Sequence, residues 1–138
     1  MFLVDLFQKE IGEKKMAKFV YHNVAPQKIN RNDCVTRAIT LASGLPYDEV
    51  RRKLFHTAKL LKCRSKLCPT CYSFLIQEVL GGVPKDCHKM TVEEFAELHP
   101  NGVYLVRMDG HLSAIVENCV FDTFDCRGHL LTNAWEIH

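Results

Sequence analysis

The sequence predicts an α+β fold in which a helical part comes first and an antiparallel sheet follows. Apolar residues recur at helical spacing, between capping and turn residues, over much of residues 34–98. Short apolar segments separated by turn signals then fill residues 103–137. Helices followed by strands are typical of α+β architecture, and 138 residues suffice for one domain with its own core.

Four helices are predicted from their start and stop signals. The first begins at or beside Cys34, because Asn32 or Asp33 can serve as its N-cap, and Gly44 ends it in the usual C′ position. The other three span, in order, Pro46 to about Leu61, Phe74 to Leu80 after Ser73 as a cap, and Val92 to Leu98 after a capping box of Thr91 and Glu94.

The sheet is predicted as a meander of four strands. Asp109-Gly110 is a strong signal for a two-residue hairpin between the first two of them. Residues 18–24 alternate loosely and predict an edge strand. The four strands of the meander are Val103 to Met108, His111 to Glu117, Cys119 to Phe124 and Leu130 to Ile137.

The N-terminal residues predict an appendage rather than part of the domain. Residues 2–15 have the apolar spacing of a short amphipathic helix, and Gly12 breaks the pattern. The expected organisation is therefore an appendage at residues 1–15 and a single domain at residues 16–138.

Composition and charge exclude several classes of function. The net charge of +2 is too small to indicate nucleic acid or an anionic membrane surface. No segment is long and apolar enough to span a bilayer, and the apolar start lacks a signal-peptide cleavage site. We therefore expect a cytoplasmic protein, whose seven cysteines are reduced thiols or metal ligands rather than disulfides.

Cys34 has the local sequence of a nucleophilic cysteine. It follows polar residues at the beginning of a helix, where the positive end of the helix dipole stabilises a thiolate. A nearby imidazole that holds the proton would complete its activation. The alternative is that Cys34 is a small buried core residue, which is the commoner role of a cysteine.

His111 and Asp122 are the residues predicted to serve Cys34. His111 opens a strand directly after a tight turn, and Ser113 and Ile115 share its face of that strand. A histidine that acts as a general base needs an orienting group on its second ring nitrogen. Asp122 on the next strand can reach it, whereas Asp125 belongs to the following turn.

An oxyanion site is the remaining need of such a centre. The main-chain N–H of Cys34 can supply one donor. The side-chain amide of Gln27, in the loop before the helix, is the second donor that we favour, with Asn30 and Asn32 as competitors.

These residues resemble the papain-like cysteine peptidases. The matching pieces are Gln27, Asn32-Asp33-Cys34, Gly110-His111 and Val120-Phe121-Asp122-Thr123, in the family's order. The chain is most similar to compact members, such as the leader-peptide-cleaving peptidases of bacteriocin exporters and small phage-encoded relatives. The resemblance implies a nucleophile helix packed on the sheet, Cys34 as nucleophile, His111 as general base and acid, Asp122 as orienting group and Gln27 as oxyanion donor. It also implies a cysteine peptidase or amidase that acts on a protein or peptide without a cofactor.

A second group of cysteines predicts a structural zinc site. Cys68-Pro69-Thr70-Cys71 has the spacing of a zinc knuckle or of a thioredoxin-like redox site, but no strand precedes it as the redox motif requires. The alternative is a loop with free thiols. The predicted zinc ligands are Cys63, Cys68, Cys71 and Cys87, with His88 or His56 as replacements for the last of them.

Two other functions stay open at the level of sequence. The chain can be an inactive papain-like or zinc-stabilised module that binds a protein partner, for example a phage-encoded modulator of a host factor in the host cytoplasm. A zinc-knuckle nucleic-acid binder is disfavoured by the small net charge and by the lack of interleaved basic and aromatic residues.

Overall fold

Four helices and a sheet of six strands make up the part of the chain that the structure, a computed structural model, describes: residues 16–25, 33–65 and 68–138. This arrangement confirms the α+β class. In chain order the elements are β1 (Lys18–Tyr21), α1 (Cys34–Ser43), α2 (Tyr47–Leu60), α3 (Pro69–Phe74, continued by a π-helical turn at Leu75–Val79), β2 (Val83–Lys85), α4 (Val92–Leu98), β3 (Val103–Met108), β4 (His111–Val116), β5 (Cys119–Asp122) and β6 (Leu131–Ile137).

The sheet is mixed, whereas the sequence predicted an antiparallel meander. The strand order is β1-β5-β4-β3-β6-β2, so β3, β4 and β5 form the expected hairpins. β6 pairs with β3 instead of β5, because β1 already lies parallel along the outer edge of β5. The six residues of β3 also give the seven-residue β6 a longer partner than β5 with its four residues.

Two clusters of buried residues cover the two faces of the sheet. Successive residues of β3 and β4 belong alternately to one cluster or the other, as the two-residue period of a strand requires. The helix-side cluster combines α1, α2 and α3 with the sheet residues Leu105, Leu112 and Trp135. The opposite cluster combines α4 with Val106, Ile115 and other residues. The nucleophile helix α1 therefore packs on the face that carries Leu112.

Helix boundaries agree with the predicted ones in three of the four cases. Gly44 ends α1 in the left-handed conformation, with φ of 75°, and its N–H donates to the Thr40 carbonyl. The third helix differs from the prediction, since it begins at Pro69 and not after Ser73. Proline suits the first position of a helix because its φ is already helical and its missing N–H has no intrahelical acceptor there.

The strand β2 and the N-terminal residues 2–15 are the two remaining parts of the chain to compare with the prediction. The short strand β2 was not predicted, because its sequence Val-Pro-Lys carries no alternation. The amphipathic helix expected in residues 2–15 lies outside the described residues.

Within the described residues, none of the helices has the length and apolar character needed to cross a bilayer.

The capping box of α4 gives a first test of the local energetics. The Glu94 N–H donates to the Thr91 hydroxyl oxygen at 3.1 Å, and the Thr91 N–H donates to the Glu94 carboxylate at 2.9 Å. We expect Thr91→Ala to lower the free energy of unfolding by about 1 kcal/mol, since it removes an N-cap acceptor. Urea unfolding measures the change, and Thr91→Ser, which keeps the acceptor, should retain wild-type stability.

Candidate active site

Cys34 is the first residue of α1, and the residues around the helix start fix its position. The preceding Asp33 is buried and forms an ion pair with Arg37, one turn further along. The Tyr47 hydroxyl donates to the other carboxylate oxygen of Asp33 at 2.7 Å. Asp33 therefore occupies the predicted N-cap position, but its side chain joins α1 to α2 instead of capping the helix.

The Cys34 sulfur lies at the edge of β4. β5 pairs with β4 only over Ala114 to Val116. The two strands are therefore not paired at the end of β4 that lies next to the Asp109-Gly110 turn. The main-chain N–H of Leu112, beyond the last of these pairs, donates to the Cys34 thiolate. Cys34 is 9% exposed, so the sulfur lies at the boundary between the core and the surface.

His111 stands between Cys34 and Asp122. Its Nε2 lies 2.6 Å from Oδ2 of Asp122, and its side chain also hydrogen-bonds to the Cys34 sulfur. Because Nε2 faces the carboxylate, Nδ1 is the ring nitrogen left for the sulfur. The Phe124 ring packs against the imidazole at a centroid distance of 4.7 Å. The structure thus brings together the three residues for which the sequence predicted a shared site.

Asp122 is held by three further groups. The Ser113 hydroxyl donates to Oδ2 at 2.7 Å, the Thr123 N–H donates to Oδ1 at 2.7 Å, and the Cys126 thiol contacts Oδ2 at 3.7 Å. Sequence reasoning placed Ser113 on the face of His111 but gave it no role. Cys126 carried no signal, because its contact arises only from the turn after β5.

Hydrogen bonds and charge favour a thiolate paired with an imidazolium. Burial raises the pKa of Cys34, but the hydrogen bonds from His111 and from the Leu112 N–H outweigh it and lower that pKa below its usual value. Burial lowers the pKa of His111, but hydrogen bonds with Asp122, Cys126 and Cys34 and the Asp122 charge raise it to about 11. The proton therefore favours the ring, and the sulfur ionises more readily than an ordinary thiol does.

The pKa of Asp122 changes in the sense that supports this pair. Burial acts to raise the pKa of the carboxyl group, and the hydrogen bonds from His111 and Ser113 reverse the effect and lower it. Asp122 is therefore ionised and can stabilise the imidazolium.

A narrow cleft with a cavity volume of about 10 Å³ opens beside Cys34. Arg37 and Leu41 of α1 line one side, and His22 and Phe121 line the other. The Arg37 guanidinium also donates to the Thr123 hydroxyl at 3.4 Å, which links α1 to the end of β5. The space directly next to the sulfur is therefore about the size of one water molecule.

The remaining sequence-predicted donors lie outside the described residues. Gln27, the favoured oxyanion donor, and its competitors Asn30 and Asn32 fall in residues 26–32. Asp125, which the sequence assigned to a turn, forms an exposed ion pair with Arg127 at 2.7 Å.

The predicted zinc ligands are only partly together. The Cys63 and Cys68 thiols hydrogen-bond to each other, and Cys71 lies within range of their charges. The Cys71 thiol is directed at the Leu54 carbonyl, 3.5 Å away, and burial and the two neighbouring thiols raise its pKa to about 11. Cys87 packs in the cluster on the opposite face of the sheet, so the structure does not bring it to the other three. Zinc binding by this group stays a prediction.

His111, Asp122 and Cys126 also form a group of metal-ligand type, because their donor atoms all lie within 4.8 Å of one another. Two ligands of one tetrahedral zinc ion lie roughly 3.3 Å apart, since each is about 2.0–2.2 Å from the ion. The 2.6 Å between His111 and Asp122 is instead the distance of a charge-assisted hydrogen bond. In this structure, His111 and Asp122 are therefore joined by a hydrogen bond and are not spaced as two ligands of one zinc ion.

No family model, curated protein or solved structure matches the chain. The geometry and electrostatics of the Cys34 site are therefore the basis for inferring its function.

Proposed function

We propose that this protein is a cysteine hydrolase with a papain-like arrangement, which cleaves an amide bond of a peptide or protein through a thioester. The observation that carries the proposal is the continuous hydrogen-bonded series from the Cys34 sulfur through the His111 ring to the Asp122 carboxylate. A thiolate, a protonated imidazole and an orienting carboxylate are the three groups that covalent acyl transfer by cysteine requires.

Acylation follows from where the protons already are. The Cys34 thiolate attacks the substrate carbonyl carbon, and the electron pair of the C=O bond moves to the oxygen. The N–H of Cys34 lies in the first turn of α1, where it has no intrahelical acceptor, so it can donate to this oxyanion. His111 then gives its proton to the leaving nitrogen, the C–N bond breaks, and a thioester at Cys34 remains.

Deacylation uses the same groups in reverse. His111, now neutral, accepts a proton from water, and the hydroxide attacks the thioester carbonyl. The C–S bond breaks, the acid product leaves, and the thiolate and imidazolium are restored. Asp122 keeps the ring oriented through both steps, and general acid–base help of this kind is worth about 10²–10⁴ in rate.

The substrate class and compartment follow from the resemblance and from the thiols. All seven cysteines are free, as expected in a reducing compartment, and a thiolate nucleophile works only while it stays reduced. We infer a protein or peptide substrate in the cytoplasm, or in the host cytoplasm if the chain is phage-encoded.

An acyl-transfer assay tests the proposal directly. With p-nitrophenyl acetate, the wild-type chain should release about one equivalent of nitrophenolate in a burst and form an acetyl thioester at Cys34, since acylation precedes the slower hydrolysis. Peptide mapping locates the thioester, and hydroxylamine should remove it. Cys34→Ala should abolish the burst, whereas the matched control Cys119→Ala, on β5 away from the site, should retain it.

A second measurement separates a hydrolase from an idle module. The protein is incubated with a proteome-derived peptide mixture, and new termini are identified by mass spectrometry. The proposal expects cleavages that disappear in Cys34→Ala. A chain that is acylated at Cys34 but cleaves no amide would contradict hydrolysis and favour the inactive, partner-binding alternative.

A further inference from the structure

Arg107 is a partly exposed cation on the same face of the sheet as Cys34. It lies on β3, two residues after Leu105, which belongs to the helix-side cluster together with Cys34 and Tyr72. Because side chains two residues apart on a strand share a face, the Arg107 side chain points to the face on which α1 packs.

The guanidinium of Arg107 is braced by neutral groups. Its Nη1 donates to Oδ1 of Asn133 at 3.0 Å, and its side chain also hydrogen-bonds to the Tyr72 hydroxyl. Its Nε is buried and has no hydrogen-bond partner among the described residues.

The charge of Arg107 is not neutralised by any carboxylate in the described part of the chain. Arg37, the other guanidinium close to Cys34, is ion-paired with the buried Asp33. Arg107 therefore combines three features of an anion-binding group: fixed orientation, partial exposure and uncompensated charge.

The sheet register places Arg107 one strand away from the reacting sulfur. Arg107 is paired with Leu112, whose N–H donates to Cys34. Paired residues on antiparallel strands have Cα atoms roughly 4.5–5.5 Å apart. Tyr72, which contacts the guanidinium, is also close enough to Cys34 for the two side chains to interact electrostatically. A ligand group bound to Arg107 would thus lie about one strand spacing from the Leu112 N–H that contacts the sulfur.

We propose that Arg107 determines specificity by binding a substrate carboxylate next to the scissile amide. This rests on the proposed role of Cys34 as nucleophile. Arginine presents a planar fork of donors that matches a carboxylate in two parallel hydrogen bonds. The carboxylate can belong to an acidic side chain or to a peptide C-terminus, since the two share the same chemistry.

Affinity alkylation of Cys34 tests the assignment without knowledge of the natural substrate. The reagents are N-bromoacetyl-glycine, which carries a terminal carboxylate, N-bromoacetyl-aspartic acid α-amide, which carries a side-chain carboxylate, and N-bromoacetyl-glycinamide, which is neutral. In each reaction the Cys34 thiolate displaces bromide, which leaves with its electron pair, and a thioether forms. Rates are divided by those with glutathione to remove intrinsic reactivity.

In the wild type we expect at least one carboxylate reagent to alkylate Cys34 saturably and about 10- to 100-fold faster than the neutral reagent, as a charge-assisted pair would provide. Arg107→Gln should abolish this preference, so that the carboxylate and neutral reagents alkylate Cys34 at similar rates. The matched control Arg51→Gln, on the exposed side of α2, should keep the preference. The carboxylate reagent that is preferred identifies the side-chain or the terminal source.

Two outcomes overturn the assignment. One is equal rates with all three reagents in the wild type, and the other is a preference that survives in Arg107→Gln. Arg107→Lys, which keeps the charge but lacks the fork, guards against misfolding and should retain only part of the preference. If no reagent reacts with Cys34 faster than with a free thiol, the proposed nucleophile fails. If the neutral reagent reacts rapidly but carboxylates gain nothing, only the role of Arg107 fails.

Discussion

Replacing His111 by alanine is expected to slow the alkylation of Cys34 by iodoacetamide about 10- to 100-fold at pH 6. An ordinary thiol with a pKa near 8.5 is only about 0.3% ionised at that pH. In the wild type the pKa of Cys34 is lowered by His111 and Leu112, so a larger fraction is thiolate. The gain in rate is smaller than the gain in ionisation, because a thiolate of low pKa is intrinsically less nucleophilic.

The pH dependence of this reaction has a defined sign. The pKa of Cys34 is lowered and that of His111 is raised to about 11, so the ion pair exists between these two values. The wild-type rate should therefore fall off at a lower pH than the rate of an ordinary thiol does. In His111→Ala, burial still raises the pKa of Cys34, and the hydrogen bond from His111 no longer opposes it. The alkylation rate should therefore rise steeply only above neutral pH.

Rates are measured with mass-spectrometric detection of the alkylated Cys34 peptide. His56→Ala, an exposed histidine on α2, is the matched control and should behave as the wild type. A His111→Ala protein whose Cys34 still reacts at the wild-type rate at pH 6 would show that the imidazole does not activate the sulfur.

Replacing Asp122 by alanine is expected to lower the free energy of unfolding by about 2–4 kcal/mol near pH 5.5. The carboxylate is 6% exposed and is contacted by His111, Ser113, Thr123 and Cys126. Hydrogen bonds to a buried charge contribute about 1.5–3 kcal/mol each, and their loss leaves donors without partners. The buried imidazole can lose its proton in the variant, which limits the cost.

This loss of stability should depend on pH in both directions. The pKa of Asp122 is lowered by folding, so its contribution is present above the unfolded value of about 3.9 and is lost as the pH falls below it. The pKa of His111 is raised to about 11, so its contribution is complete below the unfolded value of about 6.5 and is lost as the pH rises toward 11. The difference between wild type and variant should therefore be largest between about pH 4 and 6.5.

Urea unfolding at pH 5.5 and at pH 9 measures this difference. Asp125→Ala is the matched control, because Asp125 is an exposed turn residue whose only ionic partner in the described chain is the half-buried Arg127. It should change stability little at either pH. An Asp122→Ala difference that is equal at pH 5.5 and pH 9 would contradict a protonated His111 in the folded protein.

Local chemistry explains which parts of the fold could be predicted. The Thr91 capping box, Gly44 at the end of α1 and the Asp109-Gly110 hairpin are each stabilised by contacts within a few residues, so their sequences suffice. The start of α3 at Pro69 was missed although proline at the first helical position is a local signal. The π-helical turn at Leu75–Val79 has no such signal, because it depends on how α3 packs against the sheet.

Strand pairing and the surroundings of the candidate site depend on distant residues. The sequence cannot specify that β6 joins β3 or that β1 runs parallel to β5, since every strand offers the same main-chain donors and acceptors. The contacts of Ser113 and Cys126 with Asp122 likewise depend on how β4, β5 and the following turn are arranged in space.

The sequence by itself determined the α+β class and the helix that begins at Cys34. It also determined which face of its strand carries His111, and that Asp122 lies on the next strand. These features rest on short-range capping, turn formation and alternation of side chains. Tertiary structure alone decided that the sulfur meets the Leu112 amide and the His111 ring, that Arg107 lies one strand away, and that Cys87 lies on the opposite face from Cys71. Such contacts are fixed by register and by the packing of helices on the sheet, which arise from the summed burial of the whole core and not from any local run of residues.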